Sequence, residues 1–230
     1  SLLAGEKVDV NARRPAFLPF AQPVPIWIAA GGPRTLRMAG GVADGVFIRV
    51  GTDPKNITLA VKEIRAGAEE AGRDPKEIRL GIVFHTVLHN DVEDSILMGK
   101  SMAAGYFEYS PTLFSNVGLD WKAVSPDELK SMRGIWPDFH HATNLLESGR
   151  TVDFLSEAHA RAFSLLGDAQ SVAAQLISLL AELHNLDIEF EHVVLHPIPN
   201  PPTPDFGPEA YIERVPSEIL PIVRDSLTEI

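Results

Sequence analysis

Apolar positions along this chain fall either in short solid runs or in longer stripes at helical spacing. Ile26 to Ala30 is apolar without alternation and is bounded by Pro25 and Gly31, the pattern of a strand buried on both faces. Pro33 to Gly40 carries Leu36, Met38 and Ala39 opposite Arg34 and Arg37, which predicts a short helix with proline near its start. Past the turn at Ala43-Asp44-Gly45, Val46 to Val50 predicts a second strand. Asp53 caps a helix that begins at Pro54, places Ile57, Val61, Ile64 and Ala68 on one stripe, and stops at Gly72. Leu80 to Leu88 predicts a third strand, and Glu93 to Tyr109 a helix.

The period is lost from Ser110 to Arg150, which reads as an insertion of short helices. Phe154 to Leu183 is helical with a break at Leu166-Gly167-Asp168; its second part has Asp168 as cap and a stripe through Val172, Leu176, Leu179 and Leu183. Phe190 to Leu195 predicts a fourth strand, followed by a Pro-rich loop and a terminal helix from Ser217 to Leu227. Residues 8–24 read as a loop, and the opening Ser-Leu-Leu as the end of a helix cut from a longer protein. Alternating strands and helices predict an α/β fold with parallel pairing through βαβ units. Four strands are about half of a (β/α)8 TIM barrel, so the chain is expected to be part of one.

Composition narrows the function. The 230 residues are 45% hydrophobic and 22% charged, within the globular range. A net charge of −11 argues against nucleic acid as the main partner, and an anionic ligand would need its own local donors. No apolar run approaches the roughly 18–20 residues of a membrane span. The absence of cysteine excludes disulfides, a thiolate nucleophile and cysteine-ligated metal, and fits a reducing, cytoplasmic setting.

Ala29-Ala30-Gly31-Gly32-Pro33-Arg34-Thr35 joins a strand end to a helix start. Free N–H groups at such a junction, with the helix dipole, suit an anion; Gly31 and Gly32 would give backbone N–H groups, Thr35 a hydroxyl and Arg34 a charge. The plain alternative is a tight turn in which glycine relieves strain. Arg49, ending the second strand, is either a further anion contact or a surface ion-pair residue. Asp44-Gly45 reads as a turn whose carboxylate caps local N–H groups. His85 and His89 fall on one face of the third strand, with no third metal ligand identified, so no metal is expected. His140 and His141 could not both face one site if helical, and a loop pair near a barrel mouth is the alternative; His192 and His196 are equally ambiguous. Trp121, Trp136 and Tyr109 are expected to pack.

The segments LLAGEKV, VPIWIAAGGPRTLRMAGGVADGVFI, DPKNITLAVKEIRAGAEEAGRDPKEI and SLLGDAQSVAAQL, in that order, resemble the bacterial luciferase-like superfamily, nearest its deazaflavin-dependent branch of methylene-tetrahydromethanopterin reductases. The resemblance implies a barrel that binds a deazaflavin of the F420 type, or FMN, at its carboxyl face. It places Ala30, Gly31, Gly32 and Thr35 around the cofactor phosphate, with Ala29, Arg34 and Arg49 as the further cofactor-binding candidates from the residues themselves, and makes residues 110–150 an insertion after strand seven that covers the site. It implies strands five to eight here, catalytic residues mostly in strands outside this sequence, a small-molecule substrate and a homodimer. Arg49 and Thr52, where a glucose-6-phosphate branch carries Thr and Lys, argue against that substrate. The expected activity is hydride transfer with a deazaflavin; an FMN-dependent monooxygenase and a non-catalytic flavin-binding barrel fragment are the alternatives. Gly31→Asp is expected to block the anion while leaving the fold less affected.

Overall fold

A computed structural model of the chain describes residues 5–9, 15, 16, 18, 20–202 and 206–227. Five parallel strands form one sheet: β1 (Trp27–Ala30), β2 (Gly45–Ile48), β3 (Arg79–Leu88), β4 (Leu165–Gly167) and β5 (His192–Pro197). β3 is the organiser. It pairs with β2 over Arg79 to Ile82, with β5 over Gly81 to Thr86, and with β4 over Thr86 to Leu88. Thr86 has Pro197 on one side and Leu165 on the other, so β4 extends the edge that β2 begins.

The helices are α1 (Pro33–Val42), α2 (Pro54–Glu70), α3 (Val92–Tyr109), α4 (Thr112–Asn116), α5 (Pro126–Arg133), α6 (Leu145–Thr151), α7 (Glu157–Phe163) and α8 (Ala169–Asn185). A last helix runs from α9 (Pro208–Arg214) through a π turn (Val215–Ile219) into α10 (Leu220–Leu227). The expected caps are in place: Asp53 accepts from the Lys55 N–H at 2.9 Å and Asp168 from the Ser171 N–H at 2.8 Å. Asp44 also takes its expected turn role, accepting from the Ile26 N–H at 2.7 Å.

Several boundaries differ from the sequence reading. The break at Leu166-Gly167-Asp168 is the strand β4, so the sheet has five strands rather than four. Three residues are too few for any period to register; only burial of Leu165 and Leu166 against the end of β3 makes them a strand. β5 starts and ends two residues later than expected, and the terminal helix starts at Pro208 rather than Ser217. The stretch LLAGEKV falls partly outside the described residues.

In-register pairs fix which side chains share a face. Ala29, Phe47, Gly81 and His192 stand in one row, so Trp27, Phe47, Arg49, Val83, His85 and His196 all point to the same side of the sheet. The other face, with Val46, Ile48, Ile82 and Phe84, is fully buried beneath the helices. Trp27 and Phe47 lie 4.8 Å apart, over Gly45 and Gly81; a Cβ on either glycine would come within 2.6 Å of a ring.

α1 and α2 touch backbone to backbone. A Cβ at Gly40 would run into the Ile64 carbonyl, and one at Gly67 into the Arg37 carbonyl. Neither backbone can yield without lifting a helix off the sheet. Gly67→Ala is therefore expected to lower stability by about 1–3 kcal/mol, the usual cost of overpacking, read from the urea midpoint. An unchanged midpoint would show that the helices are not in contact.

Candidate functional site

The carboxyl ends of β1, β2 and β3 open into a cavity of about 420 Å³. Ala29, Ala30, Gly31 and Gly32 line one side, Arg49 and His85 come from the ends of β2 and β3, and Tyr106 and Tyr109 come from α3. His140 and His141 complete the wall from the turn between α5 and α6. Among the described residues no Asp or Glu lines the cavity, although the chain carries a net charge of −11.

Arg49 is held by a chain of hydrogen bonds. Its Nη2 lies 3.3 Å from His85 Nε2, and His85 Nδ1 lies 3.1 Å from the Tyr106 hydroxyl. A guanidinium has no lone pair, so Nε2 must accept and the imidazole proton must sit on Nδ1, which donates to Tyr106. Burial, then the Arg49 charge, push His85 down to about 3. Burial pushes the Tyr106 phenol up to about 12. Both are therefore neutral near pH 7, and Arg49 keeps its full charge beside them. His196, the register partner of His85 on β5, stands 5.3 Å away ring to ring; burial, then Arg49, hold it below the ordinary imidazole range.

The glycine loop behaves differently at its two glycines. A Cβ at Gly31 would run into the Arg49 carbonyl, so Gly31 is required by the close approach of two strand ends. This corrects the expectation that Gly31→Asp would affect the fold less than the anion, since any side chain there meets the Arg49 carbonyl. Gly32 has open space around its Cβ position. It is the N-cap of α1 and supplies no side-chain cap, and Pro33 has no N–H, so the Arg34 and Thr35 amides stand at the helix start. The Arg34 and Thr35 side chains are exposed and lie outside the cavity lining; any part these two residues take there is through their backbone. Of the seven residues named from sequence, Ala29, Ala30, Gly31, Gly32 and Arg49 are brought together.

His89 lies past the end of β3 at Leu88 and outside the cavity that His85 lines; it accepts from the Asp91 N–H and packs on Phe206. Trp121 packs as expected, stacked 4.6 Å from Phe107. Trp136 and Tyr109 do not; they are 81% and 69% exposed. Thr52 is buried and gives its hydroxyl proton to the Arg161 carbonyl at 2.6 Å. Sequence does not single out Tyr106, because an aromatic residue on a helical stripe carries no local mark of a polar partner.

Residues 1–184 match the luciferase-like monooxygenase family, and the chain belongs to it. Among curated proteins it is 30% identical over 178 residues to the 5,10-methylenetetrahydromethanopterin reductase of Methanopyrus kandleri, covering 75% of this chain and 45% of that one. It is 48% identical over 81 residues to the enzyme of the same name from Methanolobus tindarius, covering 33% of this chain and 24% of that one. Among solved structures it resembles the coenzyme F420 dependent tetrahydromethanopterin reductase from Methanopyrus kandleri, with TM-score 0.64 and 26% identity over 96% of this chain and 59% of that one. An F420-dependent secondary alcohol dehydrogenase in complex with an F420-acetone adduct shares the fold, with TM-score 0.58 and 18% identity over 97% of this chain and 58% of that one. The chain spans less than half the length of the curated relatives it matches. No helix among the described residues is long and apolar enough to cross a membrane.

His85 makes folding pH-dependent. Between about pH 6.5 and 3 the unfolded imidazole takes up a proton that the folded one refuses, so stability falls as pH falls through that window. The slope from this one group is up to about 1.4 kcal/mol per pH unit. Urea titrations from pH 7 to 5 are expected to show this loss, and His85→Gln, which keeps an acceptor for Arg49, should flatten it. Equal slopes in both proteins would contradict a buried neutral His85.

Proposed function

We propose that this chain is the cofactor-phosphate half of a deazaflavin-dependent luciferase-like oxidoreductase. The observation that carries the reading is the cavity wall: Arg49, histidines and glycine-loop amides converge, without a carboxylate among the described residues, in a strongly acidic protein. Such a wall suits a phosphate. The relatives named for coenzyme F420 support that cofactor over FMN.

In this reading the start of α1 and Gly32 receive the phosphate at backbone N–H groups, and Arg49 adds a charge whose direction His85 fixes. The half-buried aromatic face of the sheet, with Trp27 and Phe47, is the inner wall of a (β/α)8 barrel of which β1, β2, β3 and β5 are the fifth to eighth strands, β4 being a short addition to the edge of β3. Residues 110–150, which bring His140 and His141 into the wall, form the insertion that covers the site. The deazaflavin, when bound, supplies the carbon that exchanges hydride with a small organic substrate. The chain's own residues anchor and orient it; the acid or base that serves the substrate lies outside these strands.

The test separates phosphate recognition from folding. The intact protein would be titrated with coenzyme F420, with the same deazaflavin lacking its phosphate-bearing side chain, and with FMN. Arg49→Gln and Gly32→Asp are expected to weaken F420 binding by about 10–100-fold, the worth of a charge-assisted hydrogen bond. Both should leave the urea midpoint and the affinity for the phosphate-free deazaflavin nearly unchanged. Binding of FMN in preference to F420, or equal loss with both deazaflavins, would overturn the assignment.

A further inference from the structure

The turn at residues 138–141 gathers Asp138, His140 and His141 into one cluster, of which the two histidines line the cavity and Asp138 stands behind them. The segment is not helical, so adjacent histidines are not forced to opposite faces, and both imidazoles fold back onto the carboxylate. His141 Nδ1 lies 2.9 Å from Asp138 Oδ2, and His140 Nδ1 lies 3.0 Å from Oδ1. The carboxylate is itself oriented: Oδ1 accepts from the His140 and His141 backbone N–H groups at 3.1 and 2.9 Å, and Oδ2 from the Tyr109 hydroxyl at 3.2 Å. Hydrogen bonds of this kind fix ligating carboxylates around metal ions.

His140 supplies the observation that a capped turn does not explain. Its Nδ1 is buried and makes no hydrogen bond, although a carboxylate oxygen stands 3.0 Å away off the line of one. A buried nitrogen beside an anionic oxygen, with no proton shared between them, is a costly arrangement. A cation held by both groups removes that cost. Across from it, a Cβ at Gly105 would run into the same nitrogen, so only glycine leaves it clear.

We propose that Asp138, His140 and His141 form a binding site for a divalent transition ion of the zinc class, ligated by both Nδ1 atoms and Asp138 Oδ2. Two imidazoles and one carboxylate suit zinc or cobalt rather than magnesium or calcium, which take oxygen ligands. Three protein ligands leave at least one coordination position for water or a substrate oxygen that enters the cavity.

The intact protein, freed of metal and without any deazaflavin, would be titrated with Zn²⁺ against a chromophoric chelator and with Co²⁺ by visible absorption. One ion per chain is expected, with a cobalt spectrum of nitrogen and oxygen ligands. His140→Ala and Asp138→Asn are each expected to weaken binding at least ~10-fold. The amide in Asp138→Asn keeps an oxygen for the two backbone N–H groups, so the turn is preserved in that variant. No uptake at micromolar metal, unaltered uptake in both variants, or loss on His196→Ala instead would overturn the site. Because no deazaflavin is present, that failure would leave the cofactor reading standing, and failure of F420 binding would leave the metal site standing.

Discussion

The whole arrangement hangs on β3, whose ten residues pair with three other strands. Each pairing sets a register, and with a side-chain period of two each register sets a face. That constraint brings Arg49 from β2 and His196 from β5 to the same side and the same end of the sheet as His85. A slip of one residue in either neighbour would send its side chain under the helices. For β2, burial of its own Val46 and Ile48 on the opposite face, beside Ile82 of β3, is what forbids the slip.

Close backbone approach is the second requirement, and glycine meets it in two different places. Gly40 and Gly67 let α1 and α2 lie in contact across the sheet, and Gly31 lets the end of β1 pass the carbonyl of Arg49. These glycines serve packing. Gly32 does not; its Cβ position is open, and it stands where the first turn of α1 meets the cavity. The double glycine thus holds one residue that packing requires and one that packing does not, at the edge of the cavity.

Electrostatics follow from the same geometry. Neutral His85, itself held by the Tyr106 hydroxyl, accepts from Arg49 without neutralising it. An acidic protein thereby keeps a local positive field where an anion can reach it. Asp138, the carboxylate beside the wall, is drawn away toward its own turn and Tyr109.

Much of the fold was legible in the sequence because its long elements carry their own marks. The stripe from Ile57 to Ala68, the caps at Asp53 and Asp168, and the solid apolar run of β3 announce helix and buried strand locally. The glycine loop and Arg49 could be named together as candidates because strand ends and helix starts have a known chemistry, and both line the cavity. β4 could not, since three residues become a strand only by meeting the end of β3. Nor could the Tyr106–His85–Arg49 chain or the gathering of Asp138 with His140 and His141. Those join residues from separate elements, or depend on a turn that no periodicity encodes, and only the folded chain brings their polar atoms within hydrogen-bonding distance. Sequence determined which segments are strands and helices; tertiary packing decided which side chains meet at the carboxyl end of the sheet, because contact is a property of register and turn geometry rather than of local pattern.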